Sequence, residues 1–287
     1  MSELAIEFKN VDFSFGTHKI FEKLSFSVTD DQFIGIVGAN GSGKSTLMKI
    51  LLGLLHNKAG EINILGAKPG HMKTRPDIGT SLQDIDFPAT EKAQEVLKFV
   101  CQQHSDSNPV NELIKDFGIT DFKNKACGQL SGGMKRRLSL ACAFAGKPRI
   151  LLLDEPTTGL DRESRKNLLK NLRKYQDRNQ SLILMISHHP EDVTDSVDQF
   201  LHLKNSTVNF VSPEQMREMT KIRKVSFDCN NRLEYANSLK STYENNRQTV
   251  IVKDSDQFIK DLHNMDFPYK NLEIHKLGAD ELIGEFL

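Results

Sequence analysis

Residues 33–46 read FIGIVGANGSGKST, and the change of character at Gly38 decides the fold. The first half, FIGIVG, is a short unbroken apolar run, the pattern of a strand buried on both faces of a mainly parallel sheet. The second half, Gly38 to Ser45, spells G-x-x-x-x-G-K-S, and beyond it Leu47, Ile50, Leu51 and Leu54 recur at helical spacing. A strand, a glycine-rich loop and a helix in that order are the context in which this spacing binds phosphate. Gly38, Gly41 and Gly43, with Asn40, Ser42 and Thr46 between and after them, let backbone N–H groups close around phosphate oxygens at the positive end of the helix. Lys44 is placed to neutralise β- and γ-phosphates, and the Ser45 hydroxyl to ligate Mg2+.

Two further apolar runs end as abruptly. ILLL at 150–153 stops at Asp154, and LILMI at 182–186 stops before Ser187 and His188. Ligands of open parallel sheets bind beyond the carboxyl ends of the strands, so these polar residues are expected to converge with the glycine loop. Carboxylates at the end of a buried strand are costly unless matched to a cation or to chemistry. Asp154 is the candidate Mg2+ partner, and Glu155 the candidate to polarise an attacking water. His188 is the third candidate. His189 leaves the strand in the opposite direction and reads as structural.

The bulk composition narrows the setting. The 287 residues are long enough for two domains, expected at 1–211 and 212–287, with a helical segment inserted at about 84–145 of the first. Lys plus Arg and Asp plus Glu both number 38, so no net charge draws the chain to nucleic acid or an anionic membrane. The opening MSELAIEFKN lacks the basic and apolar regions of a secretory signal, and no apolar window reaches the roughly 20 residues that span a bilayer. The expectation is a cytosolic chain that meets a membrane only through a partner. Cys101, Cys127, Cys142 and Cys229 form no C-x-x-C pair and read as free thiols.

With these pieces in place the chain resembles the nucleotide-binding subunit of ATP-binding cassette (ABC) transporters. The resemblance covers residues 3 to about 210, in the order GANGSGKST, Gln83 in TSLQD, LSGGM at 130–134, ILLLDEP at 150–156, GLD at 159–161, and His188. It implies an α/β fold: a phosphate-loop ATPase core with a mainly parallel sheet and an inserted helical subdomain, to which the residues from about 212 are expected to add a small α+β C-terminal extension. It also implies ATP and Mg2+ as ligands. By the resemblance, Phe15 stacks on adenine, where the family usually has Tyr. Gln83 senses Mg2+ and the γ-phosphate, and the stretch Asp84, Ile85, Asp86, Phe87 and Pro88 forms either the socket for a membrane permease or an ordinary surface loop.

The same resemblance gives Ser131, Gly132 and Gly133 a partner. In the family two subunits meet head to tail, each signature loop closes over the ATP held by the other, and Asp161 crosses that interface. The fifth signature residue, usually Gln, is here Met134, whose thioether cannot donate an amide's hydrogen bond; altered turnover is expected rather than loss. Lys135, Arg136 and Arg137 are expected to point mostly to solvent.

From about residue 212 the pattern becomes short strands and helices, including KVSFDC at 224–229, TVIVK at 249–253, SDQFIKDLHNM at 255–265 and NLEIHKL at 271–277. The closing ADELIGEFL is similar to the last helix of exporter-type subunits, which favours export; the same part reads equally as a cap on a dimer. The functional expectation is an ATPase that dimerises on ATP, as a homodimer or heterodimer, and powers a separate permease. The alternative is a soluble ATP-driven clamp on a protein or nucleic acid.

Overall fold

The computed structural model describes residues 3–83, 86–204 and 206–277. Contacts divide the chain into two compact units, Met1–Val211 and Ser212–Leu287. The first opens with a hairpin of two long strands, β1 (Leu4–Phe15) and β2 (His18–Thr29). Leu24, Phe26 and Val28 are buried in alternation with Ser25 and Ser27, the signature of a sheet with one covered face.

Strand β3 (Phe33–Val37) then enters the centre of the unit and delivers helix α1 (Lys44–Leu51). Strand β4 (Ala59–Ile64) joins β1 to complete a three-stranded antiparallel sheet, β2-β1-β4. Strand β5 (Ile78–Ser81) precedes the inserted helices α2 (Ala93–Gln102), α3 (Val110–Asp116) and α4 (Gly132–Ala143). The chain returns through β6 (Ile150–Asp154), α5 (Arg162–Asn179), β7 (Leu182–Ile186), α6 (Pro190–Val193), β8 (Gln199–Lys204) and β9 (Thr207–Val211).

The central sheet runs β5-β6-β7-β3-β8-β9, parallel throughout except for β9. Every residue of β3, β6 and β7 is buried, as their unbroken apolar runs require. Asp154 pairs in register with Ile186, and Ile186 with Ile36. The three strands therefore end side by side, and the loops leaving them share one edge of the sheet.

Helix α1 seals the space between the two sheets. Leu47, Met48, Ile50 and Leu51 share one core with Ile34, Ile36, Leu152 and Leu184 of the central sheet and Phe8, Phe26 and Ile64 of the antiparallel one. At about 1.5–3 kcal/mol for each large apolar side chain removed from water, this core fixes the glycine loop between two rigid layers. The helix is shorter than its apolar spacing predicts. It stops at Leu51, Gly53 turns the chain with φ +70°, and Leu54 is 63 % exposed. On α4, Leu138 is buried and Cys142 half-buried, while Ala145 lies beyond the helix end. Cys101, Cys127, Cys142 and Cys229 are free, and burial above all pushes the Cys142 thiol up to about 12. Among the described residues no helix is long and apolar enough to cross a membrane.

The second unit contains α7 (Pro213–Thr220), β10 (Arg223–Asp228), β11 (Lys240–Glu244), β12 (Arg247–Val252), α8 (Ser255–Asn264) and β13 (Lys270–Lys276). Its sheet, β11-β12-β10-β13, is antiparallel, and Phe258 and Leu262 of α8 pack with Val225, Phe227, Val250 and Val252. Gln248 is fully buried and mimics a peptide group: it accepts from Leu233 N at 2.7 Å and donates to Leu233 O at 2.6 Å. The closing segment expected to form an exporter-type helix, residues 279–287, lies outside the described residues.

Candidate functional site

The loop between β3 and α1 is shaped as a concave backbone surface. Gly38, Gly41 and Gly43 all have positive φ, +153°, +81° and +102°. A Cβ at Gly38 would stand 2.5 Å from Leu203 O, and one at Gly43 would stand 2.7 Å from Phe21 Cε1 and 2.8 Å from Ile20 Cγ2. Only glycine closes this turn. Helix α1 starts at Lys44 with Gly43 as its N-cap and no side-chain cap bond, so its first-turn amides are not capped by a side chain. Lys44 is 7 % exposed, and its Nζ donates to Gly38 O at 2.6 Å and Ala39 O at 3.0 Å. The side chain is thus folded back over the loop, its charge set among carbonyl dipoles. Ser42 Oγ is buried without a hydrogen-bond partner. A buried cation, an orphaned hydroxyl and an uncapped helix start fit a phosphate chain.

Around that loop is a cleft of about 450 Å3, lined by Phe15, His18, Ile20, Asn40, Gly41, Gly43, Lys44, Ser45, Thr46, Gln83, Glu155, Ile186 and His188. The structure therefore brings together residues that the sequence places up to 173 positions apart, between Phe15 and His188. Phe15 is 52 % exposed, its ring edge-on to Phe13 at 5.0 Å, which leaves an aromatic face at the mouth of the cleft. His18, Ile20 and Ile186 were not singled out by sequence reasoning; they carry no motif and enter only because β2 and β7 flank the loop.

Asp154 and Glu155 diverge, as adjacent residues at a strand end must. Asp154 is 8 % exposed; burial first, then the neighbouring Glu155, raises its carboxyl above the usual range, against the opposing pull of Arg136, His188 and Lys44. Ser45 and Gln83 line the cleft and Asp154, at the end of β6, is not among its lining residues; a hydroxyl, an amide oxygen and a carboxylate are the hard donors Mg2+ prefers, and a cation brought against Asp154 would stabilise its charge. Among the described residues no three His, Cys, Asp or Glu side chains cluster as a metal site, so phosphate and water oxygens would complete the shell.

Glu155 sits in the left-handed region at φ +50°, a conformation costing an L-residue roughly 1–2 kcal/mol. Its Oε1 lies 2.6 Å from His188 Nε2, and its Oε2 accepts from Thr158 Oγ1 at 3.0 Å. The carboxylate is thereby aimed from the end of β6 toward the loop beyond β7. His189, by contrast, faces outward, 3.8 Å from Glu191.

The signature residues are elsewhere. Ser131 caps α4, its Oγ accepting from Met134 N at 3.4 Å, and Gly132 and Gly133 begin the helix. A Cβ at either glycine would meet nothing within 4 Å, so the fold of this chain does not explain why both lack a side chain. Both line a groove of about 360 Å3 with Leu82, Gln83, Lys135, Arg136, Ser139, Thr158 and Gly159; the groove shares only Gln83 with the lining of the cleft. Asp161 is likewise outside the cleft. It caps α5, accepting from Ser164 N and Ser164 Oγ at 2.8 Å each, and these bonds hold its carboxyl below the usual range. Asp84 and Ile85 of the expected socket lie outside the described residues; Asp86 and Pro88 are exposed and Phe87 is half-buried.

One expectation is corrected. Lys135, Arg136 and Arg137 do not point mostly to solvent; all three are half-buried. Successive helix residues fan out by about 100° each. Lys135 reaches Asp86 at 3.6 Å, Arg137 donates to Gly118 O at 3.1 Å and lies over the Phe122 ring, and Arg136 donates to the carbonyls of Glu155 and Thr158.

Comparison with known proteins agrees with this geometry. Residues 21–158 match the family model described as ABC transporter. The chain is 32 % identical over 195 residues to the zinc uptake system ATP-binding protein ZurA of Listeria monocytogenes, covering 64 % of this chain and 76 % of that protein. It is 36 % identical over 195 residues to the Nod factor export ATP-binding protein I of Burkholderia lata, covering 65 % of this chain and 64 % of that protein. A solved ATP-binding subunit of an ABC transporter superposes with a TM-score of 0.68 at 23 % identity, over 74 % of this chain and 92 % of the other, a likeness of fold. The uncapped phosphate loop, the strand-end carboxylates and these relatives together place the chain in the ABC transporter family, as an ATP-binding, ATP-hydrolysing subunit.

Proposed function

We propose that this subunit binds Mg-ATP in the cleft beside α1, pairs with a second nucleotide-binding subunit over that ATP, and drives a separate membrane permease. Phe15 stacks on the base at the cleft mouth. The loop amides and Lys44 hold the phosphates, and Glu155, oriented by His188 and Thr158, accepts a hydrogen bond from the attacking water. Ser45, Asp154 and Gln83 would hold Mg2+, which would supply neutralising charge to the phosphates. Ser131, Gly132 and Gly133 close on the nucleotide of the partner, and Asp161 lies at that junction. Met134 leaves the serine hydroxyl and glycine amides in place and removes only an amide donor.

The observation that supports pairing most directly is the open space over Gly132 and Gly133, in a groove that shares only Gln83 with the lining of the cleft that contains Lys44. Two glycines opening a helix with nothing of their own chain against them suit a ligand brought from outside. Residues 1–211 act as the ATPase domain in this reading, and 212–287 as an accessory domain. The permease is met through the segment after Gln83, where Asp86, Phe87 and Pro88 are surface features, and the subunit resides on the inner face of a membrane through that contact. The relatives include an uptake and an export protein by name, so the reading is neutral in direction.

Glu155→Gln keeps the side-chain volume and removes the carboxylate. This variant is expected to bind ATP, hydrolyse it at least about 100-fold more slowly, and accumulate as a dimer. Tagged Glu155→Gln protein captured from detergent-solubilised membranes with Mg-ATP is expected to bring down a stoichiometric polytopic membrane protein. A soluble partner instead, or an ATP-stable homodimer alone, refutes the permease and favours a soluble clamp; hydrolysis at the parent rate refutes Glu155 as the base.

A further inference from the structure

The first turns of α4 are tied to both halves of the cleft. Arg136 Nη1 donates to Glu155 O and, at 3.1 Å, to Thr158 O. Those two carbonyls bracket the tight turn that holds Glu155 in the left-handed region, itself closed by Thr158 N donating to Glu155 O at 3.2 Å and Leu160 N donating to Thr157 O at 3.2 Å. On the neighbouring faces of the same helix, Lys135 pairs with Asp86 and Ser139 Oγ lies 2.7 Å from Ser81 Oγ, both in the segment that carries Gln83. Gly132, Gly133 and Arg136 line one groove, so a ligand seated against the glycines sits beside the guanidinium.

We propose that Arg136 is a positioning residue for Glu155: by clamping the two carbonyls of the 155–158 turn it sets the carboxylate on His188, and it makes that setting depend on what occupies the α4 groove. The inference rests on Glu155 being the group that polarises water. A positive charge on one nitrogen bonded to two peptide oxygens restrains a turn that an L-glutamate would otherwise leave, because the left-handed region is disfavoured for any residue with a Cβ. Displacing the start of α4 by contact at Gly132 or Gly133 moves Arg136, and with it the turn and the carboxylate. Besides Gln83, which lines both, the groove and the cleft are thus connected inside one subunit through the bonds of Arg136 to the 155–158 turn.

Arg136→Met keeps the aliphatic stem and removes the donors; Arg136→Lys restores an ammonium able to bridge two carbonyls. The full chain of each is assayed at saturating Mg-ATP, with Glu155→Gln in parallel. The Met variant is expected to lose at least tenfold in kcat with KM for ATP within threefold of parent, and the Lys variant to recover to within threefold. Without nucleotide, hydrogen exchange at the Thr158 and Leu160 amides is expected to quicken at least tenfold in the Met variant. Parent-like kcat and exchange in the Met variant, or a Lys variant as slow as Met, overturns the proposal. Parent-like turnover in Glu155→Gln instead overturns the role of Glu155 itself. Arg136→Leu, which likewise has no donor, carries the same test if the Met variant does not fold.

Discussion

Lys44→Ala isolates the part of the site on which everything else depends. The parent ammonium is 7 % exposed and donates to Gly38 O at 2.6 Å and Ala39 O at 3.0 Å, which anchors it over the loop rather than letting it extend into water. A preplaced cation forfeits little side-chain entropy when phosphate arrives, so its bonds contribute nearly in full. One to two charge-assisted hydrogen bonds, at about 1.5–3 kcal/mol each, give about 1.5–6 kcal/mol of ATP affinity. At about 1.4 kcal/mol per decade, alanine is expected to weaken binding by at least roughly 10-fold and up to roughly 20,000-fold. The free fold is expected to lose about 1–3 kcal/mol as well, because Gly38 is buried and alanine leaves its carbonyl without the Lys44 donor. Isothermal titration of ATP into parent and variant reads the first quantity, and thermal unfolding the second. An ATP Kd within threefold of parent, in a variant that is folded at the assay temperature, refutes the placement of phosphate against Lys44.

The loop geometry predicts a difference between two glycines. Gly43→Ala combines a left-handed backbone with contacts under 3 Å to Phe21 and Ile20, an expected loss of about 2–5 kcal/mol, whereas Gly41→Ala has positive φ with open space and is expected to lose only about 1–2 kcal/mol. Equal unfolding midpoints for the two variants in urea would remove the steric argument. His202 gives a pH dependence: it is 1 % exposed, Nδ1 has no hydrogen-bond partner, and burial, with Lys204 assisting, lowers its pKa from 6.5 to about 4. Below pH 6.5 the unfolded chain takes up a proton that the folded chain refuses. Stability is therefore complete above about pH 6.5 and falls toward about pH 4, by roughly 3 kcal/mol in all, while His202→Leu is expected to flatten that portion of the curve. Parallel pH profiles for the two proteins would show that His202 titrates normally.

Much of the site was legible because its chemistry is local in sequence. The glycine loop needs its spacing and its helix, and the runs ending at Val37, Asp154 and Ile186 announce a parallel sheet whose strand ends must adjoin. The sheet of β1, β2 and β4 was not anticipated, although Leu24, Phe26 and Val28 alternate clearly with polar residues; the unbroken runs are the louder signal and drew the reading away from the alternating one. The end of α1 was overrun because Leu54 continues the helical spacing, while Gly53, which breaks it, lies against Gly70 in a close backbone approach that local spacing does not encode. Arg136 was misread for a deeper reason. Three consecutive basic residues look like a solvated face, and the partners that bury them are backbone carbonyls, a carboxylate and a ring supplied by distant segments. A carbonyl has no residue identity, so no pattern in the sequence marks it as a partner.

The empty space over Gly132 and Gly133 bears on how this protein is to be engineered. A library screened for heat resistance of the purified subunit will accept alanine or serine at either position, since nothing in the chain collides with a new methyl group and a helix start gains from losing glycine. On the proposed pairing over Gly132 and Gly133, a library screened for growth that depends on the intact transporter is expected to reject many of the same clones. Under that proposal, stabilising campaigns run on the isolated subunit are expected to drift toward sequences that fold better and assemble worse, and positions where the two screens disagree would outline the surface that belongs to the complex rather than to the chain.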